Sequence, residues 1–349
     1  MSLESRSEQM AQFLRRSGLG SARSAPLAGD ASFRKYYRLA APKRAVIMDA
    51  PPDLEDVRPF IAIAAYLKSR GYSSPSILAT DIANGFLLLE DLGDDTFTRL
   101  LAADRGPSER ALYEAAVDFL ADLHRTPCPA ALPVAGDVGY PVPPYDEALL
   151  LKEAALFPDW YYPAALGRPC PDEARQDFVD LWMSIFPLCL PGSQPGLGPV
   201  LVLRDYHADN LMWLPERKSH ARVGLLDFQD GVIGHPAYDL VSLLEDARRD
   251  VPPALAEAMI SRYLSRTGAD ETAFRDAYAA LGAQRNTKII GIFTRLWKRD
   301  GKPHYLKLIP RVWGLLERDL AHPRLKNLAA WFDAHTPEAL RSEVLEATA

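Results

Sequence analysis

The stretch LVLRDYHADNLMW, residues 201 to 213, sets Asp205, His207, Asp209 and Asn210 between two apolar runs. A second stretch, GLLDFQDG, puts Asp227 after another apolar run with Phe228 beside it. These residue types at these spacings suit phosphoryl transfer. A carboxylate accepts the proton of an attacking hydroxyl. An asparagine five residues on, and an aspartate at the next strand turn, hold magnesium against nucleotide phosphates. The gap from Asp205 to Asn210 wraps a loop so that base and amide face one cavity. Two other readings compete. Asp205, His207 and Asp209 alternate along extended backbone and could gather a hydrolase metal, although no further histidine spacing supports this. Asp205 and Asn210 alone also suit a turn, a reading that loses force once Asp227 and Asp239 are included.

The elements that must position these groups can be read from pattern. Leu201–Leu203 and Leu211–Trp213 read as short strands flanking the loop, and Val223–Leu226 as the strand feeding Asp227. Upstream, FRKYYRL (33–39) and RAVIMDA (44–50) are rich in aromatic and branched residues and read as strands. PPDLEDVRPFIAIAAYLKSRG reads as a helix that Asp53 can cap and Gly71 can end, with Val57, Phe60, Ile61, Ala64 and Leu67 on one face. Asn84-Gly85 between apolar runs signals a hairpin with a type I′ turn. After Gly93 the texture becomes helical, as in Ser108 to Arg125, with proline-rich breaks at 127–144 and 187–199. The expected fold is α+β, with a small β-rich nucleotide-binding lobe over 1–92 and a larger, mainly helical catalytic and acceptor-binding lobe over 93–349.

Bulk properties agree with an enzyme of small molecules. The 349 residues suit two lobes, and a formal net charge of -6 argues against a nucleic-acid binder. Cys128, Cys170 and Cys189 are scattered and odd in number, which fits a reducing cytoplasm better than a disulfide framework. The polar N-terminus is no signal peptide, and no apolar run reaches membrane-span length. No protein partner is implied.

LRDYHADN resembles the kinase catalytic loop H-R-D-x-x-x-x-N, and LDFQDG resembles its D-F-G turn. GHPAYDLVSLL is similar to the aminoglycoside phosphotransferase and choline kinase branch. Within that branch, GDASFRKYYRL, VIMDAPPD, LLLEDLGDDTF and QRNTKIIGIFTRLWKRDGKPHYLKLIPRVW together resemble the bacterial N-acetylmuramate/N-acetylglucosamine anomeric kinases of cell-wall recycling, over nearly the whole chain. The resemblance implies a protein-kinase-like two-lobed fold that uses ATP and Mg2+ to phosphorylate the anomeric hydroxyl of an N-acetylated amino sugar. It implies Asp205 as base, Asn210 and Asp227 as metal ligands, and Asp239 as a brace for the catalytic loop. Gly29, Ser32 and Arg34 would line the nucleotide, with Glu90 and Leu92 in the link whose backbone meets adenine. The same chemistry on an aminoglycoside or another small hydroxyl compound is one alternative, and a regulatory pseudokinase is the other.

Departures from the family pattern carry information. Met48 sits where the third strand should supply a phosphate-binding lysine, and GDASFR has only Gly29 where a glycine-rich loop is expected. Arg34 or Lys35 is the candidate replacement, Arg34 through bidentate contact to phosphate. Glu55 is the candidate partner of such a cation, and Asp94 or Asp95 could reach a ribose. Trp160 could stack on a sugar or simply anchor a loop. Residues 284 to 313 carry Arg285, Lys288, Arg295, Lys298, Arg299, Lys302, Lys307 and Arg311 against Asp300 alone. That excess favours an anionic or neutral acceptor, with Arg285 and Arg299 as acceptor contacts, against the plain alternative of a solvated helix face.

Overall fold

The computed structural model describes residues 5–27, 33–40, 44–135, 138–193 and 198–345. The chain forms two compact units that it visits alternately. A sheet unit takes the chain up to Ala115, then Pro129–Val142 and Ala208–Gly231. A helical unit takes Ala116–Cys128, Pro143–His207 and the chain from Val232 onward.

The sheet unit opens with α1 (Arg6–Arg16), started by a capping box between Ser5 and Glu8. Strands β1 (Arg23–Pro26), β2 (Lys35–Ala40) and β3 (Ala45–Asp49) precede α2 (Arg58–Ser69) and the hairpin of β4 (Ile77–Asp81) and β5 (Phe86–Glu90). They pair antiparallel in the order β1-β2-β3-β5-β4. All five residues of the central β3 are buried, which is why it reads as a continuous apolar run. Leu39, Ala45, Ile47, Phe86 and Leu88 pack on Phe13 and Leu14 of α1. Alternation turns Val46 and Met48 to the opposite face.

Two local expectations are revised here. Asp53 does not cap α2, whose N-cap is Val57. The prolines instead close a turn, with the Leu54 and Glu55 N–H groups both on the Pro51 carbonyl at 2.9 Å. Glu55 therefore lies ahead of the helix. The β4–β5 hairpin forms as expected, but through a 3₁₀ turn at Ile82–Asn84 closed by Gly85, not a two-residue turn. Asn84 is spared the left-handed conformation, which falls to Gly85 alone at φ 67°. A Cβ on Gly85 would stand 1.8 Å from the Ala50 carbonyl oxygen.

After α3 (Phe97–Ala102), helix α4 (Glu109–Leu123) carries the chain into the helical unit. The proline-rich stretch holds a hairpin of β6 (Ala131–Ala135) and β7 (Val138–Pro141), back in the sheet unit. The helical unit continues with α5 (Glu147–Ala154), one π-helical turn at Phe157–Tyr161, α6 (Tyr162–Leu166), α7 (Asp172–Ile185) and β8 (Val200–Val202). The strands β9 (Leu211–Trp213) and β10 (Val223–Leu225) form a ribbon of the sheet unit. Then β11 (Val232–Gly234) pairs with β8, and helices α8 (Ala237–Leu244), α9 (Pro253–Thr267), α10 (Glu271–Asp300), α11 (Ile309–Leu320), α12 (Lys326–His335) and α13 (Glu338–Ser342) follow. The core here is aromatic, with Phe157, Tyr161, Phe178, Trp313, Trp331 and Phe332 meeting ring on ring. The 30 residues of α10, about 45 Å long at 1.5 Å per residue, run against α5, α8 and α11.

Gly85→Ala combines a left-handed backbone with a backbone clash. It is expected to lower stability by roughly 1–3 kcal/mol, read as a reduced denaturant midpoint.

Candidate active site

The Asp205 loop hangs from one buried carboxylate. Asp239, on the first turn of α8, accepts the Leu203 N–H at 2.7 Å and the Arg204 N–H at 2.9 Å. Arg204 is left-handed at φ 69°, an uncommon conformation for a residue with a Cβ. The strand pair β8–β11 fixes the entry to this turn. Burial works to raise the Asp205 carboxyl, but Lys288 foremost, then His207, Arg285 and Arg204, more than offset it and hold the group below its ordinary value. His207 is buried, and burial foremost pushes its imidazole down. Among the described residues no three His, Cys, Asp or Glu side chains are grouped to hold a metal, which removes the Asp205–His207–Asp209 hydrolase cluster.

Asp205 belongs to the helical unit, whereas Asn210 and Asp227 belong to the sheet unit. The β9–β10 ribbon brings these last two together. Leu211 pairs with Leu225, and the Asn210 carbonyl accepts the Leu226 N–H at 2.9 Å, so Asn210 and Asp227 flank one end of the ribbon. Asp227 is left-handed at φ 55° and its side chain is 46% exposed. The Gln229 amide donates to its Oδ1 at 2.8 Å and reaches Asp230 at 3.2 Å. Ser73 anchors the ribbon, through its hydroxyl on the Ala221 carbonyl and its carbonyl on the Leu225 N–H.

Arg34 lies among three carboxylates of the sheet unit. Its side chain, only 10% exposed, lies 3.6 Å from Glu55, 3.5 Å from Asp230 and 3.9 Å from Asp227. Register explains the placement. Tyr36 pairs with Met48, so Arg34, two residues earlier, shares the Met48 face of the sheet. Lys35 pairs with Asp49 and points to the opposite face. Burial works against the Arg34 charge, but Tyr36 and the carboxylates of Asp230, Glu55 and Asp227 outweigh it and raise the group further. Met48 is buried.

The other expected positions divide. Gly29 and Ser32 lie outside the described residues. The Glu90 carboxylate is taken up by the Ser76 N–H and hydroxyl and by Arg217, and its own N–H donates to the Ser76 carbonyl at 2.8 Å. Leu92 lies over Gly224 of β10. Asp94 is held by Arg38 and Arg99, and Asp95 by Arg105. Trp160 sits half-buried in the π-helical turn, while Phe157 and Tyr161 beside it face the aromatic core. Arg285 is buried rather than solvated, with one N–H on the Ser242 hydroxyl at 3.0 Å. Arg299, fourteen residues on and about 21 Å along α10, is exposed and forked onto Asp300. The two therefore cannot grip one anion together. Part of the basic excess of 284–313 is paired, Lys288 with Glu153 and Arg311 with Asp250. Glu153 is the residue that pattern reading missed. Its signal was a lone acid in the apolar run LLLKEAALF.

A kinase-like phosphotransferase is the class that this architecture and these motifs define. The model of the phosphotransferase enzyme family matches residues 24–278, and the chain belongs to that family. It is 41% identical to an N-acetylmuramate/N-acetylglucosamine kinase of Caulobacter vibrioides, covering 95% of this chain and 97% of that one. It is 38% identical to a kinase of the same name from Pseudomonas aeruginosa, covering 87% and 86%. Among solved structures it resembles a choline kinase from Streptococcus pneumoniae, with TM-score 0.57, 13% identity and coverage of 95% and 100%. An ADP-bound aminoglycoside phosphotransferase aligns with TM-score 0.55 at 16% identity, covering 84% and 92%.

Asp239→Ala strips the Leu203 and Arg204 amides of their acceptor in the core. We expect a loss of about 3 kcal/mol in denaturant unfolding, together with faster hydrogen exchange at those two amides.

Proposed function

We propose that the chain transfers the γ-phosphoryl group of ATP to the anomeric hydroxyl of N-acetylmuramate and N-acetylglucosamine, as a cytoplasmic enzyme of cell-wall sugar recycling. The observation that carries this reading is the 41% identity, spanning nearly both whole chains, to a relative named for those two sugars. Residues 1–92 serve as the nucleotide-binding lobe and 93–349 as the catalytic and acceptor-binding lobe.

The donor set suits magnesium. An amide oxygen from Asn210 and a carboxylate from Asp227 are hard oxygen ligands, and two such ligands with substrate phosphates are the usual way this ion is held. When bound, the ion neutralises charge on the phosphates. The chain's own residues do the rest. Arg34, braced by Glu55, Asp227 and Asp230, stands in for the strand lysine on the phosphates. Gln229 orients the Asp227 carboxylate. Asp205 orients the acceptor hydroxyl and takes its proton. The anomeric hydroxyl is the most acidic on a sugar, so a carboxylate held low by its neighbours is an adequate base for it.

Phosphorus NMR of reactions with ATP and magnesium is expected to show 1-phosphates of both sugars, with little product from a kanamycin-like polycation. A phosphate on C6, or rapid turnover of the polycation alone, overturns the acceptor assignment. Asp205→Asn keeps shape and removes basicity. It should lower kcat by about 10²–10⁴ and leave ATP affinity intact by calorimetry.

Arg34→Ala is expected to raise KM for ATP and lower kcat together. Met48→Ala instead opens a core cavity and costs about 2–5 kcal/mol of stability with KM little changed. Equal ATP kinetics in wild type and Arg34→Ala would remove Arg34 from the phosphates.

A further inference from the structure

The helical unit buries a charge network beside Asp205 that no role assigned above uses. Glu153 of α5 is buried and accepts from three donors: the Tyr145 hydroxyl, the Arg204 guanidinium, and the Lys288 ammonium at 3.0 Å. Lys288 comes from the middle of α10, and its ammonium also lies 3.3 Å from the Tyr238 hydroxyl of α8. Burial works to raise the Glu153 carboxyl, and Lys288 and Arg204 more than reverse this, so the group is ionised. Buried ion pairs of this kind stabilise little, since apolar residues of similar volume often do as well or better. The arrangement therefore calls for a functional account.

Its position supplies one. Lys288 is foremost among the cations acting on the Asp205 carboxyl, ahead of Arg285 on the same helix and Arg204 in the loop itself. An ammonium has three N–H donors. Glu153 and Tyr238 use two, and the third has no acceptor among the described residues. The Lys288 side chain remains 12% exposed, so it is not sealed in. A cation beside a base weakens it as a proton acceptor, which by itself would slow the reaction. The same cation favours the reaction when it also meets the oxygen that loses the proton.

Resting on the reading of Asp205 as the acceptor's base, we propose that Lys288 is a further catalytic residue, held by Glu153 so that its remaining N–H meets the acceptor oxygen. The acceptor O–H proton passes to Asp205. The oxygen's electron pair forms the bond to the γ-phosphorus, and the bond from that phosphorus to the β,γ-bridging oxygen breaks, its pair leaving with ADP. Lys288 keeps its proton throughout and lies against the oxygen while negative charge grows there. Glu153 is a positioning residue that acts through Lys288.

The test is a double-mutant cycle on the full chain, with ATP, magnesium and N-acetylglucosamine. Lys288→Met is expected to lower kcat by about 10²-fold, with ATP affinity by calorimetry unchanged. Glu153→Gln should cost less, and Lys288→Arg should restore part of the loss. The deciding variant carries Glu153→Gln and Lys288→Met together, because it removes both charges and leaves no unpaired buried carboxylate. It should stay as slow as Lys288→Met. Recovery of the double variant to within about twofold of wild-type kcat would mean that Lys288 only neutralises Glu153, and overturns the proposal. So does a Lys288→Met variant with full kcat. A wild-type chain that phosphorylates neither sugar overturns the function reading as well, whereas an active wild type with unaffected variants overturns Lys288 alone.

Discussion

Two hydrogen bonds accepted by one buried carboxylate set the geometry of the Asp205 loop. Asp239 takes the amides of Leu203 and Arg204, and in doing so holds Arg204 in a left-handed conformation that the residue would not choose. That turn redirects the chain as it leaves β8, and Asp205 follows at once. A carboxylate is suited to this because its two oxygens bind two amides at fixed spacing, and a charge-assisted bond is roughly twice as strong as a neutral one. With both oxygens engaged, Asp239 is satisfied in a place where an unpaired charge would be costly.

The sheet unit has a parallel arrangement around one fixed cation. The strand that would carry a lysine carries Met48, which only packs. Arg34 lies on the same face of the sheet, and three carboxylates surround it. Guanidinium suits that crowd because it keeps its charge under partial burial and has enough donors for several oxygens. Arg34 is thus held in place by partners that come from three points of the chain.

Electrostatics in the helical unit follows the same logic on the opposite sign. Around Asp205 and Glu153 the cations Arg204, Lys288 and Arg285 come from the loop and from α10, and each is tied by a hydrogen bond or ion pair. The length of α10 matters here. Its middle is buried in the network while its C-terminal end, with Arg299, reaches solvent. Charge that looks like one basic face in a linear list is thus divided along a rod into separate roles.

The sequence by itself determined a good deal. The strand pattern before Gly93, the helix from Ser108, the β-strands flanking the 201–213 loop, and the pairing of an Asp-x₄-Asn loop with a D-F-x turn were all legible, because local periodicity and short spacings carry them. So was the hairpin at Asn84-Gly85, although its turn is longer than the dipeptide suggests. The start of α2 was misplaced, since a proline-closed turn and a helix entry share the same residues. What only tertiary structure decided was which charges face which. Register set Arg34 and Lys35 on opposite faces, since a one-residue step sends a side chain to the other face of a sheet. Helix length separated Arg285 from Arg299. The meeting of Glu153 with Lys288, 135 positions apart in the chain, depends on α5 lying against α10, and no local pattern encodes a contact between charges so distant in sequence.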